Sequence, residues 1–149
     1  MKGLVSLLAA ALMPSLAACG AGHSRICATP ASPSVRLPAV PGRPAAGYFE
    51  ILAGEGSGAL LSVTSPRVAR IEMHESMMSD SMSTMRPMTR ATADECHAIA
   101  FAPGGRHLML FDVDPAVRAG QEIELVLHFE NGESRRLTAR IEAAGGEAR

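Results

Sequence analysis

A chain of 149 residues is enough for one modest domain with appendages. Its formal net charge of -1, with Lys2 the only lysine, argues against nucleic acid, whose capture needs a basic face. Aromatic residues are scarce, four Phe and one Tyr, so the core must rest on Val, Leu, Ile and Ala.

Residues 1–18, MKGLVSLLAAALMPSLAA, are expected to be an export leader: a lysine, an apolar run, then small residues. The run is short for a membrane span and is broken by Pro14. LAAC at 16–19 resembles the lipobox of bacterial lipoproteins, in which Cys19 becomes the acylated first residue. That implies a bacterial periplasmic location and a lipid anchor, with Gly20 favouring an outer-membrane sorting context. An ordinary secretory signal cut near Ala18, or a short apolar N-terminus, is the alternative. Residues 19–44 are rich in Pro, Ser, Ala and Gly and are expected to form a tether. Within them, VRL at 35–37 is a candidate edge strand. In an oxidising compartment Cys27 and Cys96 are an even pair, open either to a disulfide or to two free thiols.

Beyond the tether come short strand candidates at GYFEIL (47–52), ALLSVTS (59–65) and VARIEMHE (68–75), then CHAIAFA (96–102) and HLMLFDV (107–113). QEIELVLHFE (121–130) alternates, with Ile123, Leu125, Leu127 and Phe129 on one side and Glu122, Glu124, His128 and Glu130 on the other. NGES supplies a hairpin turn and RRLTARIE (135–142) returns. The expected fold is all-β, a small antiparallel β-sandwich or Greek-key barrel over residues 45–143, with 144–149 as a flexible tail.

The stretch MHESMMSDSMSTM at 73–85 puts five methionines and a histidine in thirteen residues. His74, Met78, Met82 and Met85 fit one face of a helix, which would make the methionines core packing. The surrounding serines, Asp80 and Pro87 favour a hairpin or loop instead. Leu and Ile also pack with better-defined rotamers than so many methionines. On a strand, His107 and Met109 point to one side while Leu108 and Leu110 anchor the other. Imidazole with several thioethers is a soft, neutral donor set, which selects Cu(I) over zinc, calcium or magnesium. Taken singly, each of these residues is as well explained by packing or by an ordinary surface position. Met73, Met77, Met78, Met82 and Met88 divide between core filling and a soft surface. His128 is expected to be a plain surface histidine. His23 with Cys27, in the tether, is a weak candidate for metal capture. Cys96 and His97 point oppositely on one strand, so at most one of them can face a given site.

His74, ten intervening residues, Met85, twenty-one intervening residues, then His107-x-Met109 match the signature of the periplasmic PCuAC-type copper chaperones. The chain resembles that family also at AAGYF (45–49), SPRVARIEMHE (65–75), MRPM (85–88), PGGRHLML (103–110) and GQEIELVLHFE (120–130). The resemblance implies a cupredoxin-like, Ig-like sandwich with a Cu(I) site whose ligands would be His74, Met85, His107 and Met109. It also implies delivery of copper to an apo-cuproprotein acceptor, such as the CuA-bearing subunit II of cytochrome oxidase, or to another copper carrier. The chain departs from the family in having Ser83 where a second methionine is frequent, with Met82 beside it. It also has a serine-rich SDSMST segment and Cys96-His97 between the two halves of the motif.

Two other readings compete. An electron-transfer cupredoxin wants His, His and Cys with a weak axial Met, and the spacing of Cys96, His107 and Met109 does not follow that succession. A structural lipoprotein module without metal would use the methionines as packing. An enzyme is not expected: no nucleophile–base pair, paired carboxylates or phosphate loop is visible, and GEGSG at 54–58 lacks the spacing of a nucleotide motif.

Overall fold

The computed structural model describes residues 32–52, 58–79, 82–94 and 98–145. Nine strands carry the fold. They are β1 (Ser34–Arg36), β2 (Ala45–Leu52), β3 (Leu60–Thr64), β4 (Val68–Ser79), β5 (Met82–Met88), β6 (Ala98–Phe101), β7 (Arg106–Val113), β8 (Glu122–Phe129) and β9 (Ser134–Glu142). The described residues contain no helix. The domain is therefore all-β, as the short, regularly spaced strand patterns predict.

The hydrogen-bonded order is β3-β8-β9-β1-β2-β7-β4-β5, with β6 paired to β2 off this path. All pairings are antiparallel except β1 with β9, which run parallel. The sheet is thus mixed rather than purely antiparallel. The two ends of the path meet at one bridge, Leu60 with Ala91, where each backbone N–H donates to the other's carbonyl. The sheet curls over on itself without closing as a barrel.

The core lies inside this curl. Ile123, Leu125, Leu127 and Phe129, the alternate residues of β8, are all buried, at about 1.5–3 kcal/mol each. Leu108 and Leu110 of β7 and Ile141 of β9 complete the same interior. Phe49 and Phe101 lie opposite each other on β2 and β6, with stacked rings 4.7 Å apart. Gly47 sits where β2 passes β7, and a Cβ there would stand 3.1 Å from both Leu108 Cβ and Leu110 Cδ1.

The candidate edge strand at 35–37 corresponds to β1, which is an inner strand between β9 and β2, with Val35 fully buried. Within the stretch at 73–85, the described residues 73–79 and 82–85 are not helical. They belong to an antiparallel pair in which β4 meets β5 from Met73–Met88 out to Ser79–Met82. Ser76 N–H still donates to the Gly105 carbonyl, but the β4–β7 pairing ends at Glu75–Arg106. Beyond that point β4 and β5 continue as a two-stranded ribbon. Cys19, Cys27, Cys96, His23 and His97, with the leader and the first half of the tether, lie outside the described residues.

Candidate metal centre

Strand register decides which side chains share a surface. In an antiparallel pair, residues directly opposite one another project to the same face. His74 is opposite His107, and Glu72 is opposite Met109. Ser76 is opposite Met85. Because faces alternate along a strand, Glu72, His74 and Ser76 of β4, Met85 of β5, and His107 and Met109 of β7 all belong to one face. The intervening residues Met73, Leu108 and Leu110 are buried in the core on the other. Met85, eleven residues after His74 and twenty-two before His107, reaches this surface because the hairpin brings it back.

Met85, His107 and Met109 line an open cavity of about 270 Å³, walled on its far side by Pro44, Ala46 and Tyr48 of the β2 region. His74 lies beside it, its ring centre 6.0 Å from that of His107. The four residues expected from the sequence motif are therefore adjacent on one exposed face.

Both imidazoles are held by one nitrogen. His107 Nδ1–H donates to the Gly105 carbonyl at 3.1 Å, which leaves Nε2 with its lone pair. His74 Nε2–H donates to Glu72 Oε2 at 3.0 Å. The remaining nitrogen of His74, Nδ1, is buried without a hydrogen-bond partner among the described residues. A buried acceptor left unpaired is costly unless something else engages it. Soft metal coordination is one such engagement, and the donor chemistry of the face fits it.

Glu72 is the residue that sequence reasoning missed. Its Oε1 pairs with Arg70, whose guanidinium lies 3.8 Å over the Phe111 ring opposite it on β7. The series Phe111–Arg70–Glu72–His74 thus locks the imidazole from below, the arrangement by which carboxylates orient metal-binding histidines. Strand alternation in RIEMHE carries the signal, since it places Arg70, Glu72 and His74 on one side.

The other singled-out residues divide cleanly. Met73 is buried and Met88 packs against the core. Met77, Met78, Met82 and Met85 are exposed. His128 is fully engaged, its ring nitrogens 2.9 Å from Thr64 Oγ1 and 3.0 Å from Ser134 Oγ. Among the described residues no three His, Cys, Asp or Glu side chains converge on a point.

Comparison with known proteins places the chain in a family. The family model described as "Putative lipoprotein LpqE-like" matches residues 25–141. The chain belongs to the LpqE-like family. The protein named "Putative lipoprotein Lxx21020" from Leifsonia xyli subsp. xyli is 28% identical over 80 residues, 53% of this chain and 48% of that protein. The match thus spans about half the length of that curated relative. Among solved structures, the copper-bound PCuAC domain from PmoF2 is similar with TM-score 0.53 and 24% identity, over 76% of this chain and 91% of that one. The apo PCuAC domain from PmoF1 gives 0.55 and 22%, over 76% and 92%. Apo-DR1885 from Deinococcus radiodurans gives 0.52 and 16%, over 97% of both chains. The LpqE-like chain therefore has the cupredoxin-like fold of PCuAC domains, as its motif resemblance implies.

Proposed function

We propose that this LpqE-like protein is an exported copper carrier that binds one Cu(I) through His74, Met85, His107 and Met109. The reading rests on one observation: two imidazoles, each with one nitrogen fixed and the other free, share a face with two thioethers. The copper-bound state of the similar PmoF2 domain supports it. Neutral ligands leave the bound ion its charge of +1, and thioethers hold it less firmly than thiolates would. The site suits a cargo that must leave. Ligand exchange would then pass Cu(I) to an apo-cuproprotein with a stronger thiolate or imidazole set, such as the CuA-bearing subunit II of cytochrome oxidase, or to another copper carrier. The protein acts as a carrier and not as a catalyst.

The leader at 1–18 and acylation at Cys19 would place the β-domain on a tether at a bacterial membrane, facing the periplasm. The lipoprotein family name supports that placement. An electron-transfer centre would need a thiolate on this face, and none of the side chains described there is a cysteine.

Titration with Cu(I) against a chromophoric chelator tests the ligand assignment. His107→Ala should lower affinity far more than Met82→Ala, whose side chain belongs to the opposite face. Equal losses in the two variants would overturn the assignment.

A further inference from the structure

The proposed Cu(I) ligands account for Met85 and Met109 but leave the methionines at the outer end of the β4–β5 ribbon without a role. Strand register separates them. Met78 is opposite Ser83, and Ser76 is opposite Met85. Met78 and Met85 are therefore diagonal neighbours on the same face as His74, about 7–8 Å apart at Cα and within reach of two long side chains. Met77 is opposite Thr84 and Met82 is opposite Ser79, which puts that pair on the reverse face.

Packing does not explain Met78. It is 75% exposed, and Met85 is 62% exposed. Among the described residues the ribbon has no third strand beside it past Glu75–Arg106, so neither thioether has a core to fill there. The small side chains of Ser76 and Ser83 complete the other diagonal and leave both sulfurs open. Among the described residues this patch carries no carboxylate: Glu75 faces the reverse side, near Arg86 and Arg106. Two accessible thioethers without a carboxylate suit a soft monovalent ion and offer little to a hard divalent one.

We infer that Met78 and Met85 form an outer two-thioether station, where Cu(I) first lands before it passes inward to His74, His107 and Met109. Met85 belongs to both stations and carries the ion between them. The inference rests on the copper-carrier reading and adds a route to it. The route also runs in reverse, so an acceptor meets the ion at the ribbon rather than at the half-buried histidines.

The test is stopped-flow capture of Cu(I) by the full chain, held in mild detergent, from a chromophoric Cu(I)–chelator complex. Met78→Ala should slow capture several-fold while one equivalent is still taken up at the end. Met82→Ala should capture at the wild-type rate. Both side chains are exposed, so both variants should melt at the wild-type temperature. A Met78→Ala rate equal to wild type, with Met85→Ala impaired, would overturn the outer station and leave the carrier reading standing. Equal slowing in Met78→Ala and Met82→Ala would also overturn it, because the two faces would then be equivalent. Failure of the wild type to take up Cu(I) would overturn the carrier reading beneath it.

Discussion

At the scale of single residues, the orientation of two histidines matters most. A metal-binding imidazole must have one nitrogen free and its ring held still. The Gly105 carbonyl does this for His107 and the Glu72 carboxylate does it for His74. Glu72→Gln removes the charge that holds His74 and breaks the ion pair with Arg70. The expected result is a loss of about tenfold to a hundredfold in Cu(I) affinity by chelator competition. Unchanged affinity would show that the carboxylate does not serve the imidazole. Strand alternation in HLML was enough to put His107 and Met109 on one side opposite buried neighbours, but His74, His107 and Met109 stood out as candidate ligands only through the family spacing. Met85 needed the family spacing, since its face depends on the register of a hairpin that no local pattern sets. Glu72 escaped notice because a soft donor set draws attention away from carboxylates, although its position two residues before His74 was there to be read.

Secondary-structure elements hold that face in place from behind. β7 carries His107 and Met109 outward on the same backbone that buries Leu108 and Leu110, so whatever shifts the buried pair shifts the proposed ligands. Gly47 is a close point of that contact, where an added Cβ would stand 3.1 Å from Leu108 Cβ. Gly47→Ala would force Leu108 and Leu110 to move by a few tenths of an ångström and should cost about 1–3 kcal/mol in denaturant unfolding. A variant as stable as wild type would mean that β7 yields freely there. After β7 the chain turns at Asp114. Its carboxylate accepts from Ala116 N–H at 2.8 Å and pairs with Arg67 at 3.0 Å. The Ala116 amide first, then Arg67, hold its pKa below the ordinary aspartate value. A carboxyl depressed in the folded state contributes stability above its unfolded pKa, and that contribution is lost as pH falls through the folded value. Asp114→Asn should therefore melt below wild type at neutral pH, with the gap closing on acidification past the ordinary aspartate range. A gap independent of pH would contradict the assignment. β8 was readable residue by residue from its alternation. The interior position of β1 was not, because three residues carry no usable period and one of its partners, β9, lies about a hundred residues away.

For the whole molecule, the open curl of the sheet separates two tasks. The enclosed side holds the apolar core, and the β4–β5–β7 face is left free to present histidines and methionines to the outside. The all-β architecture followed from evenly spaced strand patterns. The mixed sheet and the bridge at Leu60–Ala91 did not, since they arise from pairings between distant segments. The helical reading of residues 74–85 fails for a reason of the same kind: β5 pairs with β4 as far out as Ser79, with β7 alongside only at His74 and Glu75, and a helix would leave those backbone groups unpaired. The central claim is that one Cu(I) binds to a mixed imidazole–thioether set on this face. Anaerobic Cu(I) titration followed by X-ray absorption at the copper edge tests it most directly. The account predicts mixed nitrogen and sulfur scattering at one equivalent, with the sulfur contribution reduced in Met85→Ala and in Met109→Ala. Absence of tight stoichiometric binding, or a sulfur contribution unchanged in both variants, would contradict it.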